Sequence, residues 1–548
     1  MQIQTNNRST TAPSTQNSVL SVWIRVGVAA LAMLGLSARL SPLLDWKDRL
    51  PWQYLSEDGY LMQTIARNMA LGLGMSTADG TIATNGVQPL ATFLYAGLHW
   101  LAGGDKTLAL VLITVFSTVV AAAAAAGLFK LVERLLAQQA HGRELALFTA
   151  ASWFAAPLIV RHSMNGLETG LYHATIVLAL NAYAALSLRQ TPSTWSAGER
   201  LALGGLLGVT FLARNDAVFF IAALLAAHVL IGAPGEIGAA RLRRIGDALV
   251  AGITSLLVAS PWLIYNRVNF GSIVPISGAA QSHASTLGSN LPLLPANLFE
   301  NTVIVLPLPG SIETWPWIMA FALTVVVLIV IGFWRAICRQ STFGRRLLLT
   351  ALLFAAGLCG YYGVFFGAAW FIPRYLSPLS LFFWPATVVT AAVAIRALAL
   401  PKAPPALMRG VAAATVIVLC GGFAWQQFRD GRQHMHRQVV EWVNANVAVR
   451  QWVGAPQTGT LGYFHDKTLN LDGKVNPHAL AVLRTQGHVL DYVVDSKIDY
   501  IVDWVGMADW ITFSFGPRFA KAFTVRVKDA QRNLAVLERI EPVTPSKP

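Results

Sequence analysis

The chain has 548 residues, of which 55% are hydrophobic and 12% are charged, and its mean hydropathy is +0.52. This composition excludes an ordinary soluble domain, because many apolar runs reach the length of about 20 residues that a helix needs to cross a bilayer. The formal charge of +14 does not indicate nucleic-acid binding, since many of the basic residues lie in short loops between apolar runs.

The first 40 residues form a tail and an anchor. Residues 1–18, rich in Thr, Ser, Gln and Asn, are predicted to be a disordered cytoplasmic tail. The apolar run 19–40 is longer than a signal-peptide core, so we interpret it as a retained first span. It begins an all-α polytopic membrane domain over 19–428. The three cysteines lie in or beside apolar segments of this domain, which predicts neither a disulfide framework nor a thiolate metal site.

Two adjacent carboxylates, Glu57 and Asp58, open an amphipathic helix after the first span. Leu61, Ile65 and Met69 follow at four-residue steps, as expected of a helix in a membrane interface. Such carboxylates lie where an enzyme acting on a lipid-borne substrate needs a base. They fit N-terminal capping equally well, because negative charge opposite the helix dipole contributes about 0.3 to 1 kcal/mol.

Loop charges orient the spans. The positive-inside rule places three Arg- and Lys-rich loops in the cytoplasm, at 241–244, 335–346 and 396–409. The loops 41–88 and 266–314 then face outward. The apolar stretch 89–101 is too short to cross and is interpreted as a re-entrant or interfacial helix. The total comes to about eleven spans.

The apolar run 201–231 is interrupted by Arg214, Asn215 and Asp216. The chain enters and leaves this run on the cytoplasmic side, so it must cross toward the outer face and come back within the run. Two short helical arms then carry the charged tip near the outer face. Charges at membrane depth usually line a cavity or pathway. Two interpretations stay open: Arg214 and Asp216 form an internal pair that stabilises the turn, or Arg214 faces an anionic lipid headgroup.

Four outward elements are predicted to converge on one cavity: the helix at Glu57 and Asp58, the segment 161–168, the tip at Arg214, and the turn at Arg374. Together they supply carboxylates and guanidiniums. Glu168 also fits the start of the span that follows it, and Arg374 fits a snorkelling residue at a span end. His162 is interpreted as an interfacial histidine rather than a metal ligand, because no second His or Cys stands near it at ligand spacing.

The composition changes from residue 429 onward, where acids, Asn and Gly return between short apolar runs. The pattern predicts a small α/β cap over 429–548, outside the membrane. The predicted cap elements are helices over 433–446 and 478–484 and strands over 459–464, 500–503, 523–527 and 534–537.

Several short motifs resemble, in the same order, those of the C-type (GT-C) glycosyltransferases, the bacterial relatives of protein O-mannosyltransferases, aminoarabinose transferases and arabinosyltransferases. Asp58 stands a few residues ahead of an Ile-Ala-Arg run at 65–67, like the carboxylate of the family's first outer loop. Further counterparts are Asn165-Gly166-Leu167-Glu168-Thr169, Leu212-Ala213-Arg214-Asn215-Asp216, and residues 270–275 and 374–378. In the cap, 469–476 is similar to a segment recurrent in uncharacterised members.

Two departures from the family pattern bear on the donor site. Asn215 stands where the family usually has proline, and Gln88 stands where some relatives have lysine. The second change removes a cation that contacts lipid phosphate. Arg214 and Arg374 are therefore the better candidates for binding that phosphate.

The resemblance implies a GT-C-like membrane domain with about eleven spans and a sugar transfer from a polyprenyl-phosphate donor to an acceptor hydroxyl, with inversion. Asp58 is the expected general base, with Glu57 and Glu168 in the same catalytic group. Arg214 and Arg374 are the expected ligands of the donor phosphate. The predicted substrate pocket is completed by Tyr60, Gln88, His162, Asn165 and Asp216.

The partners implied are a polyprenyl-phosphate-linked sugar, a glycan, lipid or protein acceptor, and membrane lipids, with no nucleic acid. No cofactor is required by the sequence, although a divalent cation is an option because some family members use one, with Glu168 as a ligand. The expected location is the bacterial inner membrane, with a cytoplasmic N-terminus and a periplasmic cap.

Two other functions stay open. A lipid-linked glycan transporter or flippase also places Arg and acid in a membrane cavity, but it more often shows internal repeats, and we find none. A cell-surface glycan ligase or polymerase is favoured by a large outer loop with basic and His residues. The loop 266–314 has only Arg267 and His283 of these types, which disfavours it.

Overall fold

The protein folds into a helical membrane body and a small mixed domain at its C-terminus. The computed structural model describes residues 15–139, 141–189, 195–232, 238–283, 286–306, 315–397, 405–429, 434–513 and 515–541. The helices of the body are α1 (Thr15–Leu40), α2 (Glu57–Ala70), α3 (Pro89–Leu101), α4 (Lys106–Leu135), α5 (Gly142–Ala155), α6 (Pro157–Ser163), α7 (Thr169–Ser187), α8 (Ala197–Ala213), α9 (Ala217–Leu230), α10 (Gly238–Phe270), α11 (Ile276–His283), α12 (Leu294–Thr302), α13 (Pro316–Phe333), α14 (Thr342–Val364), α15 (Ile372–Leu376), α16 (Ser380–Ala397) and α17 (Pro405–Arg429).

The body is that of a multi-pass membrane protein. Within the described residues, eight helical segments are long and apolar enough to cross a bilayer, and the bent pair α5 and α6 makes a ninth. The bend of 56° lies at Ala156, which takes an extended conformation ahead of Pro157. The predicted short arms are α8 and α9, with 17 and 14 residues. The predicted count of about eleven is reached only when the bent pair and both arms are counted as crossings.

The outer segments are largely helical. The amphipathic helix predicted from Asp58 is α2, and the short apolar stretch 89–101 is α3, which packs on α2. Strands β1 (Ser76–Thr77) and β2 (Ile82–Ala83) pair antiparallel between them. The predicted outer loop 266–314 instead contains α11 and α12, and α10 continues to Phe270. Most of the predicted tail 1–18 lies outside the described residues, but α1 already begins at Thr15.

The C-terminal domain is an α/β cap, as predicted. Its helices are α18 (Arg437–Asn446), α19 (Gly459–Phe464), α20 (Pro477–Gln486), α21 (Leu490–Asp495) and α22 (Pro517–Ala522); its strands are β3 (Val453–Ala455), β4 (Thr468–Asn470), β5 (Tyr500–Asp503), β6 (Phe523–Asp529) and β7 (Leu534–Arg539). The sheet order is β4-β3-β5-β7-β6. Strands β4, β3 and β5 run parallel, and β7 and β6 are antiparallel to their neighbours.

One cap prediction is wrong, because the stretch 459–464 forms α19 rather than a strand. Five of its six residues are buried on all sides, so the side-chain alternation of a half-buried strand does not apply to them. The cap is joined to the body through a shared apolar core. Tyr463 and Val475 of the cap belong to the same buried cluster as Tyr60, Ile65 and Tyr95 of α2 and α3.

Candidate active site

The N-terminus of α2 is fixed against the loop that precedes α7. Ser56 caps the helix by accepting a hydrogen bond from the Gly59 amide at 3.1 Å, and its own amide donates to the Asn165 carbonyl at 3.1 Å. One turn later the Gln63 side chain donates to the Gly166 carbonyl at 2.8 Å. Gly59 is required by this packing, because a Cβ there would lie 2.0 Å from the Asn165 oxygen. The positions of Glu57 and Asp58 are therefore set by backbone contacts.

The two carboxylates at the start of α2 have different partners, and Glu57 faces the cap. It accepts hydrogen bonds from the amides of Gly459 at 2.9 Å and Thr460 at 3.2 Å, and from the Thr460 hydroxyl. His436 Nδ1 lies 3.3 Å from the same carboxylate, and His436 Nε2 lies 3.0 Å from Asp503. Glu57 thus joins α2 to the cap, and its expected place in a catalytic group beside Asp58 stays a prediction.

The Glu57, His436 and Asp503 side chains form a charged bridge between body and cap. Burial disfavours the charged forms of Glu57 and His436, but the attraction between the two opposite charges outweighs this effect. His436 and Thr460 lower the pKa of Glu57 to about 2, and Asp503 and Glu57 raise the pKa of His436 to about 10. His436 is therefore a protonated bridge between two carboxylates at neutral pH.

This bridge predicts how the stability of the cap varies with pH. The pKa of His436 is raised from 6.5 to about 10, so its stabilising contribution is complete below pH 6.5 and is lost as the pH rises toward 10. The lowered pKa of Glu57 gives a contribution that is present above pH 4.5 and lost as the pH falls toward 2. We expect the melting temperature of the detergent-solubilised protein to fall steadily between pH 6.5 and 9. His436→Gln should lower it and flatten this slope; an unchanged slope would contradict the bridge.

Asp58 faces away from this bridge and lies between two cations. Its Oδ2 is 3.8 Å from Nη2 of Arg374, and its Oδ1 is 3.4 Å from Nζ of Lys474, a cap residue. The three side chains are 19%, 11% and 17% exposed, so the ion pairs lie in a largely dehydrated cleft that still opens to the exterior. Attraction between charges is stronger there than in water.

Arg374 is held mainly by aromatic rings. Its guanidinium lies 5.0 Å from the ring centroid of Phe371 and 4.8 Å from that of Tyr375, and Nη2 donates to the Tyr375 hydroxyl at 3.0 Å. Its Nε is buried and has no hydrogen-bond acceptor among the described residues. Glu168, which is 4% exposed, is close enough to act electrostatically on Arg374. His162 is half-buried and lies within electrostatic range of the same arginine.

Arg214 is engaged by the protein itself. It forms a two-pronged ion pair with Asp216, at 2.8 Å and 2.7 Å, and Nη2 also donates to the Tyr375 carbonyl at 2.9 Å. The Tyr362 hydroxyl donates to the same aspartate at 2.8 Å. The structure therefore contains the internal pair that the sequence left open, and Nη1 is the buried donor of Arg214 without an acceptor among the described residues.

Removing this arginine is expected to destabilise the protein. Arg214→Gln would leave Asp216, 8% exposed, as a buried carboxylate without its cation, and breaking such a pair costs about 3 to 5 kcal/mol. We expect a clear fall in melting temperature. Arg374→Gln serves as the comparison, because Arg374 lies farther from its carboxylate, at 3.8 Å. Equal melting temperatures for the two variants would contradict this assignment.

The predicted pocket residues fall into two groups. Gln88 and Asp216 lie at the Arg214 tip, where Gln88 Oε1 accepts from the Asn215 amide at 3.3 Å. Tyr60 does not line the cavity: it is fully buried beneath the cap, where its ring contacts Tyr463, and its hydroxyl donates to the Pro51 carbonyl. Asn165 is likewise structural, since its side-chain oxygen accepts from the Leu167 amide at 3.0 Å.

Comparison with solved structures identifies the fold. ArnT from Cupriavidus metallidurans, bound to undecaprenyl phosphate, has a TM-score of 0.55 and 13% identity over 98% of this chain and 100% of that chain. AglB from Archaeoglobus fulgidus, in complex with an inhibitory peptide and a dolichol-phosphate, has a TM-score of 0.54 and 13% identity over 92% of this chain and 73% of that chain. The chain has the GT-C fold. The resemblance drawn from the motifs is thereby confirmed for the architecture.

Sequence comparison gives a match in the cap region. A family model described as a domain of unknown function (DUF8728) matches residues 423–536, which is the last turns of α17 and nearly all of the cap. No match is found among curated protein sequences.

The sequence reasoning missed two residues of the cluster that this GT-C fold assembles. Lys474 lies in the segment 469–476 that the motif comparison singled out, but nothing local indicated that it would reach Asp58. Tyr375 lies beside Arg374, and its ring and hydroxyl hold that guanidinium. An arginine followed by an aromatic residue at a span end is the signal that was available for Tyr375.

The sequence leaves a divalent cation open as an option. Within the described ranges, no three His, Cys, Asp or Glu side chains are placed to hold one together. Glu168, the ligand expected from the resemblance, lies within electrostatic range of Arg374, and Asp58 lies between two cations.

Proposed function

We propose that this protein is an integral-membrane glycosyltransferase that moves a sugar from a polyprenyl-phosphate donor to an acceptor hydroxyl on the extracytoplasmic face. The observation that carries this is the pairing of Asp58 with Arg374 at 3.8 Å in a largely buried cleft. The two side chains come from α2 and α15, more than 300 residues apart in the chain. A base and a phosphate-binding cation at one point are what such a transfer needs.

Arg374 is the proposed ligand of the donor phosphate. Stacking on two aromatic rings fixes its guanidinium plane, and the unpaired Nε leaves a donor for a phosphate oxygen. Arg214 contributes Nη1 at most, because its other donors are bound to Asp216 and Tyr375. ArnT binds undecaprenyl phosphate and AglB binds a dolichol-phosphate in their solved structures, which supports a lipid-phosphate ligand for this chain.

The chemical step is proposed to be a single displacement. The acceptor oxygen attacks the anomeric carbon while Asp58 takes the hydroxyl proton. The bond from the anomeric carbon to the phosphate oxygen breaks, and its electron pair leaves with the polyprenyl phosphate, whose charge Arg374 stabilises. Attack opposite the leaving group inverts the anomeric configuration. Glu168, which is buried within electrostatic range of Arg374, positions the acceptor or the arginine.

The location follows from the topology. The cap packs on α2, and the positive-inside rule assigns the Arg- and Lys-rich loops at 241–244, 335–346 and 396–409 to the cytoplasm. We infer that the cap end is periplasmic and that the membrane is a bacterial inner membrane. The donor then enters the cleft from the outer leaflet, with its prenyl chain in lipid and its phosphate at Arg374.

A donor panel tests the function. Purified protein in proteoliposomes is incubated with undecaprenyl-phosphate hexoses and pentoses labelled in the sugar, together with a membrane extract as the acceptor source. A transferase releases free undecaprenyl phosphate and labels the acceptor. Movement of intact donor across the bilayer without release would indicate a flippase and overturn the proposal.

A further inference from the structure

The cap places a lysine in the proposed donor site. Lys474 Nζ lies 3.4 Å from Asp58 and 3.5 Å from Asp472, and it is 5.5 Å from the ring centroid of Phe371, the ring that also carries Arg374. Two cations from distant parts of the chain therefore flank one carboxylate and one ring. An anion between two like charges offsets their repulsion, and Asp58 is such an anion in the structure, with Asp472 as a second partner of Lys474.

The loop that carries Lys474 is built to hold it there. Asn470 accepts from the Gly473 amide at 3.0 Å, and Asp472 accepts from the Lys474 amide at 2.9 Å. Gly473 has a φ of +80°, which a residue with a side chain rarely adopts. The loop also rests directly on the outer loop of the body, because a Cβ on Gly86 would lie 2.2 Å from the Lys474 carbonyl oxygen.

The charge on Lys474 is maintained although the side chain is 17% exposed. Burial opposes that charge, but Asp58 and Asp472 outweigh it and raise the pKa of Lys474. Neither carboxylate is bound tightly, since both distances exceed 3.3 Å. The donor is a phosphodiester whose two non-bridging oxygens share a negative charge, so it can compete with Asp58 for this ammonium.

We propose that Lys474 of the cap binds the donor phosphate together with Arg374, and that the phosphate displaces Asp58 from both cations. The displaced carboxylate is then free to take the acceptor proton. Asp58 is thus masked as a base until a donor is bound, which limits reaction in an empty site. This inference rests on the proposed function, and it gives the cap a direct part in the site.

Binding of undecaprenyl phosphate to the full-length protein in nanodiscs tests this. Lys474→Gln should weaken binding at least tenfold, and Lys474→Arg should restore most of it. Asp58→Asn should tighten binding several-fold, because it removes the competing anion. Lys521→Gln, an exposed lysine elsewhere on the cap, is the matched control and should leave binding unchanged.

The opposite effects expected of Lys474→Gln and Asp58→Asn on binding distinguish a phosphate ligand from a structural salt bridge. If Lys474 only joined the cap to α2, Lys474→Gln and Asp58→Asn would weaken binding together, and that result overturns the inference. Binding within twofold of wild type for Lys474→Gln also overturns it. If inorganic phosphate competes at the same affinity as the lipid, the assignment to a lipid-linked phosphate is wrong. Turnover of the donor panel by wild type, with these binding results negative, leaves the proposed function standing without Lys474.

Discussion

Asp58→Asn is expected to abolish sugar transfer while leaving the protein folded. The amide cannot take the acceptor proton, and a positioned general base typically contributes about 100- to 10,000-fold. The asparagine keeps the shape of the side chain, and the helix start is held by Ser56 and Asn165 rather than by Asp58. The measurement is the initial rate of undecaprenyl phosphate release in proteoliposomes, alongside the melting temperature.

A matched control separates loss of the base from loss of one negative charge on the outer face. Asp79→Asn removes an exposed aspartate from the same outer loop, at a positive φ of 54° that asparagine tolerates. It should keep wild-type turnover. Turnover of Asp58→Asn within threefold of wild type would remove Asp58 from the mechanism. A melting temperature that falls together with turnover would instead indicate a structural role for the carboxylate.

The positions of the helices could largely be predicted from the sequence, because bilayer thickness and hydrophobic periodicity set them. The short helix α3 and the break between α8 and α9 were both anticipated from length and charge alone. The same arguments predicted that α2, the Arg214 tip and the Arg374 turn would meet, and the ion pair of Asp58 with Arg374 confirms that part. Such convergence follows from the order and orientation of the spans, which can be inferred from a single sequence.

The division of labour between Glu57 and Asp58 could not be predicted. Adjacent residues of a helix point about 100° apart, so one faces the cap and the other the cleft, and the cap determines which is which. The partners of Glu57 lie about 400 residues along the chain, at Gly459 and Thr460. Lys474 escaped prediction for the same reason, since its contact with Asp58 exists only once the cap is docked.

Gly459→Ala is expected to separate the cap from α2 and thereby to reduce transfer at least tenfold. A Cβ at this position would lie 1.8 Å from the carbonyl oxygen of Glu57, and backbone atoms cannot move aside as a flexible side chain can. Overpacking of this kind costs about 1 to 3 kcal/mol or more. The displaced helix α19 would also take its amides away from the Glu57 carboxylate, and the cap would withdraw Lys474 from Asp58.

Gly462→Ala is the control, because it adds the same methyl group to the same helix. There a Cβ would meet the Thr468 side chain at an ordinary 3.8 Å, and alanine favours a helix over glycine by about 1 kcal/mol. This variant should keep its activity and melting temperature, whereas Gly459→Ala should lose both. Equal behaviour of the two variants would mean that close contact between cap and α2 is not needed for transfer. Because the cap supplies both the partner that fixes Glu57 and the second cation at Asp58, its docking is the step on which an assembled site depends.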